Sequence, residues 1–409
     1  MFALTFPRGR DEAASWTSLF GFEANDSMTQ RWIDVTSEIE YAAAPLNPTK
    51  TGGQADIYQA KLSGLEVAVK VVRHVELDEE KKGSLMKKAR KELELWSSLR
   101  HRNILPFKGI CFFPGNDPHD SIFSLVSPWM RNGTIKEYVR EHTTTNRVSL
   151  MIGVTKGLVY LHDKGIVHGD LKPANIFISD EGLAVLADFG LSRLDELDLL
   201  FSPNAQGITS STNPRGTLNY MAPEFFAVIA AKANSATDVW ALGCVILDVV
   251  YGTTPYAYCA NGPRIMHCLM REKLPLEYTT REGQTSESPT LGSPAHTPAN
   301  GYETFHHNLR KALLDSTADT SDEEAEAQRV DIQIDHLCGL WLTMSSCWKI
   351  LPNQRPPSSL ILIQLQSYAG PEISGSLANY LSLFIDDFTC LDGAFHFNQI
   401  SIVGMRIGD

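Results

Sequence analysis

The sequence lacks the features that would place it outside the cell or across a membrane. Its seven cysteines are scattered over 409 residues without a Cys-x-x-Cys pair. Cys259/Cys268 and Cys338/Cys347 share one spacing, but no histidine pair completes a zinc pattern around them, so buried thiols are favoured over a metal site. The odd count and the missing disulfide framework fit a reducing compartment. The longest apolar stretch, Val239 to Tyr251, contains Asp248 and is too short to span a bilayer, so it reads as a buried core helix. Met1 to Arg10 has only a short apolar run, not the layout of a cleavable signal peptide. Internal repeats are absent as well. The expectation is a soluble, intracellular, cytoplasmic protein with no membrane span.

Basic charge is also in short supply. Thirty-six Lys and Arg stand against 48 Asp and Glu, for a formal net charge of −12. A balance of that sign argues against a nucleic-acid partner held by the overall field. Six carboxylates between Asp315 and Gln328 supply half of that charge, so the rest is only mildly acidic and says little about substrate. Nothing in the composition speaks to oligomeric state.

What is present reads as an α+β protein. Residues 1–45 show no sustained periodicity and read as an N-terminal extension, partly helical near Gln30 to Tyr41, with order beginning after Pro45. Ile57 to Leu62 alternates, Ser63-Gly64 turns, and Leu65 to Val72 alternates again, which predicts a β-hairpin. Glu76 to Leu99 is rich in helix formers, and its Lys and Arg residues read as one solvated face rather than an anion site. Ile104 to Cys111 and Ile122 to Val126 read as strands, and Asn132-Gly133 as a break. Val148 to Lys164 is predicted as an amphipathic helix, with short strands at Ile176 to Ile178 and Leu183 to Leu186. Asp238 to Val250 is apolar nearly all round and should lie at the centre of a helical lobe. Residues from about 279 to 327 turn to Ser, Thr, Pro, Gly and acids, too few apolar groups to offset their ordering entropy, and read as a disordered insertion. Helices are expected again over Ile332 to Trp348 and Ser358 to Ser367, while residues 368–409 form a tail with no definite pattern.

The chemistry is concentrated in His168-Gly169-Asp170-Leu171-Lys172-Pro173-Ala174-Asn175, followed by Asp188-Phe189-Gly190. Phosphoryl transfer to a hydroxyl needs a phosphate cradle, a cation, a metal held by oxygens, and a base aimed at the nucleophile. Asp170 is the candidate base, and Lys172 can neutralise charge on the moving phosphoryl group. Asn175 and Asp188 are hard oxygen donors suited to magnesium. Upstream, Lys70 closes an apolar run, Val67-Ala68-Val69-Lys70. An Asp-Phe-Gly tripeptide alone means little, but after His-x-Asp-x-Lys-x-x-Asn it is specific.

In order and spacing the chain resembles a eukaryotic protein kinase over residues 46–367, within the tyrosine-kinase-like serine/threonine group. Ser127-Pro128-Trp129-Met130 is similar to the hinge of kinases from mushroom-forming fungi. Gly216 to Glu224 resembles the peptide-positioning segment, Asp238 to Gly243 the buried helix under the catalytic loop, and Cys347-Trp348 to Arg355-Pro356 the end of the core. The resemblance implies a bilobal fold, with a small β-rich lobe (46–129) holding one helix and a larger helical lobe (130–367). It implies ATP and Mg2+ as cofactors, protein substrates bearing Ser or Thr, and a nucleotide site made by Gly52, Gly53, Ile57, Ala68, Lys70, Glu92, Ser127 and Met130. Glu92 is favoured over Glu94 as the partner of Lys70 by its distance from His101. An Arg355–Glu224 pair is implied too. Lys172 and Gly216-Thr217 favour serine/threonine over tyrosine.

The match departs from the family in two places. Lys50 and Ala55 stand where the glycine-rich loop usually has glycines, which leaves open a pseudokinase scaffold that binds nucleotide or partners without efficient transfer. Gly169 stands where many relatives have an arginine that meets an activation-loop phosphate. Activity is therefore expected not to depend on phosphorylation of Leu191 to Thr217 through this contact. In the insertion, Ser288-Pro289, Ser293-Pro294, Thr297-Pro298 and Thr320-Ser321 read either as modification sites or, more simply, as incidental dipeptides in a tolerated loop.

Overall fold

The hairpin signal becomes the middle of a β-sheet. A computed structural model describes residues 5–7, 34–41, 48–51, 55–72, 93–114, 120–188, 218–227, 232–276, 336 and 339–368. Its strands are β1 (Thr5–Pro7), β2 (Ile39–Tyr41), β3 (Lys50–Thr51), β4 (Ala55–Leu62), β5 (Leu65–Val72), β6 (Gly109–Pro114) and β7 (Asp120–Pro128). They pair in the order β1-β7-β5-β4-β2, with β3 also on β4 and β6 also on β7. Ser63 and Gly64, with φ of 51° and 80°, close the β4–β5 hairpin. Positive φ at both turn positions matches the twist of the flanking strands. Val67, Val69 and Val71 bury one face of β5 against Cys111, Phe113 and Val126. Strand alternation therefore turns Ala68 and Lys70 to the opposite face.

Two sequence expectations change here. From Asp34, where the described part of the Gln30 to Tyr41 stretch begins, there is no α-helix: Thr36–Glu38 is a single 3-10 turn, and β2 pairs along β4 from Ile39↔Leu62 to Tyr41↔Ala60. Val35, Ile39 and Tyr41 alternate, which suits a sheet edge better than a helix, and Val35 is buried in the sheet's cluster. Ile104 to Cys111 is not one strand either. Pro106 has no N–H to give to a ladder, so Ile104 instead bridges Leu186 and β6 starts at Gly109.

The helical lobe follows. Thr134 and Glu137 form a reciprocal capping box that starts α1 (Ile135–Glu141), and Asn146 caps α2 (Arg147–Asp163). Helix α2 is amphipathic, as expected: a wide buried side carries Met151, Val154, Leu158 and Leu161 among others, while Ser149 and Asp163 are exposed and Lys156 and Tyr160 half-buried. The buried side lies among three neighbours. These are the hairpin of β8 (Ile176–Ile178) and β9 (Ala184–Leu186), α4 and α6. After α3 (Glu224–Ala227), every residue of α4 (Ser235–Val250) from Thr237 to Val250 is buried, as its apolar circumference predicts. Then come α5 (Gly262–Met270), a helical stretch over residues 339–346, and α6 (Ser358–Ser367). Among the described residues, no helix is long and apolar enough to cross a membrane. The insertion at 279–327 and the tail beyond Tyr368 lie outside the described residues.

Candidate active site

The catalytic-loop candidate is held from below by one buried carboxylate. Asp238, in the first turn of α4, accepts from the backbone N–H of His168 at 2.8 Å and of Gly169 at 2.9 Å, and contacts His162 Nε2 at 2.9 Å. Two backbone donors converging on one anion fix the loop without any side chain from Gly169, whose φ is +75°. His168 itself is buried, and burial pushes its imidazole below the usual range despite the pull of Asp238, Asp170 and Asp188.

Above this base, Asp170 Oδ2 accepts from Lys172 Nζ at 2.8 Å and from Asn175 Nδ2 at 3.0 Å. Asn175 Nδ2 also donates to the Asp170 carbonyl at 2.9 Å, so the amide oxygen is its accepting end. Asn175 directly precedes β8 and Asp188 closely follows β9. Pairing of that hairpin, extended by Ala187 N–H to the Asn175 carbonyl at 2.9 Å, brings these two oxygen donors together.

Asp188 adopts a φ of 54° and accepts from Lys70 Nζ at 2.6 Å. Partial burial works to raise its carboxyl, but the Lys70 ammonium, with Lys172 beyond it, holds it below the ordinary carboxylate range. Lys70 reaches it from β5, where it lies opposite Ile57 on β4 and Leu125 on β7. Ala68 lies opposite Ser127, and β7 then runs into Met130, whose carbonyl accepts from Gly133 N–H at 3.0 Å. Ile57, Ala68, Lys70 and Ser127 thus share adjacent strands, with Met130 where the sheet hands over to the helical lobe. Gly52, Gly53, Glu92, Phe189 and Gly190 lie outside the described residues.

Sequence reasoning missed two contacts. Lys50 Nζ, at a lost glycine position, reaches Glu137 at 3.3 Å across the two lobes. Asp248, noted only as a break in an apolar run, binds Lys136 Nζ at 2.8 Å and Tyr220 Oη at 2.6 Å. A carboxylate inside an otherwise apolar helix was the available signal, because a buried charge requires partners. The Arg355–Glu224 pair is present, with two contacts of 2.7 and 2.8 Å.

A curled sheet over a helical lobe, with a lysine of the one meeting an aspartate of the other, is the bilobal arrangement of a protein kinase domain. The protein kinase domain matches residues 51–311, and the chain belongs to that family. Such domains work with ATP and a divalent metal ion. Three Arabidopsis thaliana proteins illustrate its similarities. Mitogen-activated protein kinase kinase kinase 5 is 28% identical over 268 residues, which is 62% of this chain and 35% of that protein. The L-type lectin-domain containing receptor kinase IV.1 is 34% identical over 218 residues, 51% of this chain and 29% of its own length. Serine/threonine-protein kinase STY46 is 30% identical over 213 residues, 51% and 33% respectively. The chain therefore spans about a third of each of these curated relatives.

Proposed function

We propose that this chain is an ATP-dependent kinase that phosphorylates serine and threonine hydroxyls of protein substrates in intracellular signalling. Its catalytic domain runs over residues 46–367, and residues 5–7 and 39–41 lend edge strands to its sheet. The observation that carries the reading is the Asp170 carboxylate held between Lys172 and Asn175, on a loop tied to Asp238, together with the Lys70–Asp188 pair.

Asp170 would accept the hydrogen bond of the incoming hydroxyl and take its proton as the oxygen attacks. Lys172, sharing the same carboxylate oxygen, supplies positive charge where the phosphoryl group arrives. Lys70 would hold the nucleotide phosphates. The Asn175 amide oxygen and the Asp188 carboxylate are hard donors at the two ends of one hairpin, and this fits Mg2+. Bound there, Mg2+ would neutralise phosphate charge. Ile57, Ala68, Ser127 and Met130 would line the nucleotide base, with Gly52, Gly53 and Glu92 completing the site. Serine/threonine specificity is supported by Lys172 and by STY46, named as a serine/threonine-protein kinase. The Ser127–Met130 hinge supports the tyrosine-kinase-like group and a likeness to kinases of mushroom-forming fungi. The cytoplasm is the compartment to which the cysteine usage points.

The test is transfer of labelled γ-phosphate by the purified chain, followed by identification of the labelled amino acid. Label is expected on serine and threonine. It should fall by about 10²- to 10⁴-fold in Asp170→Asn, the usual contribution of a positioned base, and be lost in Lys70→Met. Label no greater than in these variants, with ATP still raising the melting temperature, would overturn the enzyme reading in favour of a nucleotide-binding scaffold.

A further inference from the structure

One of the two equally spaced cysteine pairs, Cys259 and Cys268, turns out to touch. Cys259 Sγ and Cys268 Sγ are 3.4 Å apart, and both residues are buried, at 2% and 7% exposure. Cys268 lies on the inner face of α5 with Ile265 and Leu269, while Cys259 ends the turn that begins at Pro255. Their neighbours are apolar: Leu218, Met221, Tyr256, Ile265 and Leu269 form the cluster around them. Among the described residues, no third His, Cys, Asp or Glu joins them in a metal-binding group. Two thiols in an apolar pocket suit disulfide chemistry better than ligation of a cation.

That cluster has a second wall. Leu218 and Met221 belong to the segment that ends at the Arg355-bound Glu224, and Asn219 Nδ2 donates to the Pro255 carbonyl at the start of the Cys259 turn. A β-carbon at Gly262, where α5 begins, would meet Leu218 Cδ1 at 3.4 Å. The turn is further strapped to the chain beyond α5, through Tyr256 Oη to the Lys273 carbonyl at 3.0 Å and Tyr258 Oη to the Leu274 carbonyl at 2.8 Å. Movement of the thiol pair is therefore transmitted to residues 218–224 through packed side chains rather than absorbed by a loose loop.

We propose that Cys259 and Cys268 form a reversible disulfide under hydroperoxide, and that its closure displaces the 218–224 segment and weakens peptide-substrate binding. The second half rests on the kinase reading. One thiol attacks the peroxide oxygen, giving a sulfenic acid and releasing water or an alcohol. The neighbouring thiol then attacks that sulfur and expels water, so the two thiols lose two electrons and two protons while the peroxide is reduced. A disulfide measures about 2.05 Å, so the sulfurs close by roughly 1.4 Å from 3.4 Å, and the packing between α5 and the turn must readjust. Ala257, Ala260 and His267, next to the two cysteines along the chain, are exposed.

The experiment treats the reduced full chain with hydrogen peroxide, alkylates the remaining thiols and digests with trypsin, which cuts after Arg264 between the two cysteines. The expected product is a cross-linked peptide pair whose fragments place the bond at Cys259 and Cys268. It should be reversed by dithiothreitol and absent from Cys268→Ala and Cys259→Ala. Amide hydrogen exchange over residues 218–224 should rise on oxidation in the wild-type chain and not in either variant. In the active enzyme, KM for peptide should rise several-fold with KM for ATP unchanged. Separate alkylation of both cysteines after peroxide, or a bond that forms while exchange over 218–224 stays fixed, would overturn the proposal. Both readouts are independent of catalysis, so an inactive chain would count against the kinase reading alone.

Discussion

Arg355 and Glu224, 131 residues apart, grip each other through two parallel hydrogen bonds of 2.7 and 2.8 Å. The arginine side chain is fully buried. It also donates to the carbonyls of Lys349, Ala236 and Ile350 and lies 5.0 Å from the Trp240 ring. One side chain thus joins the 218–224 segment, the start of α4 and the approach to α6. Arg355→Met should destabilise the chain by about 3–5 kcal/mol, the usual result of breaking a buried pair from one side. Urea unfolding measures it, and a loss below about 1 kcal/mol would mean that solvent repairs the gap.

Gly157 sits in α2, where alanine would ordinarily be the better helix former by about 1 kcal/mol. Here an added β-carbon would lie 2.7 Å from the Asn103 carbonyl oxygen and 2.9 Å from Leu186 Cδ1. The carbonyl is backbone and cannot rotate away, so overpacking of about 1–3 kcal/mol should win. Gly157→Ala is expected to lower the melting temperature; an increase would show that α2 shifts freely.

Burial pushes the His168 imidazole below its usual range and so sets the sign of one pH effect. Its folded pKa lies below the unfolded value of about 6.5. As pH falls through about 6.5, the unfolded chain takes up a proton that the folded loop refuses, so stability drops until the depressed folded value is reached. His168→Gln should flatten the dependence of the urea midpoint on pH below about pH 6.5. An unchanged slope would assign the effect to other groups.

Gly169 offers no side chain to a phosphate, and its backbone N–H is committed to Asp238 at 2.9 Å. Phosphatase treatment of the purified chain is therefore expected to leave most of its activity. A near-total loss would require another cation to read the phosphate on Leu191 to Thr217, a segment outside the described residues.

The motifs were legible because their chemistry is local. His168 to Asn175 lie within a few residues of one another, and the β4–β5 hairpin advertises itself through period-two alternation and a Ser-Gly turn. Less legible was anything requiring a distant partner. Lys50–Glu137 joins residues 87 apart and Asp248–Lys136 residues 112 apart, and no spacing rule connects them. The Ile39–Tyr41 edge strand depended on β4 being available to pair with it. The width of the buried side of α2 was not legible either, because it is set by α4, α6 and β9 packing on it.

By itself the sequence determined the set of reactive side chains, the hairpin and the all-apolar helix, because composition and periodicity act over a single turn or strand. Only the tertiary structure decided which charges meet. Lys70 faces Asp188, Asp238 holds the loop under Asp170, and Cys259 touches Cys268 because strand register and helix packing converge on them. Those distances are set by the packing of the buried clusters, not by separation along the chain.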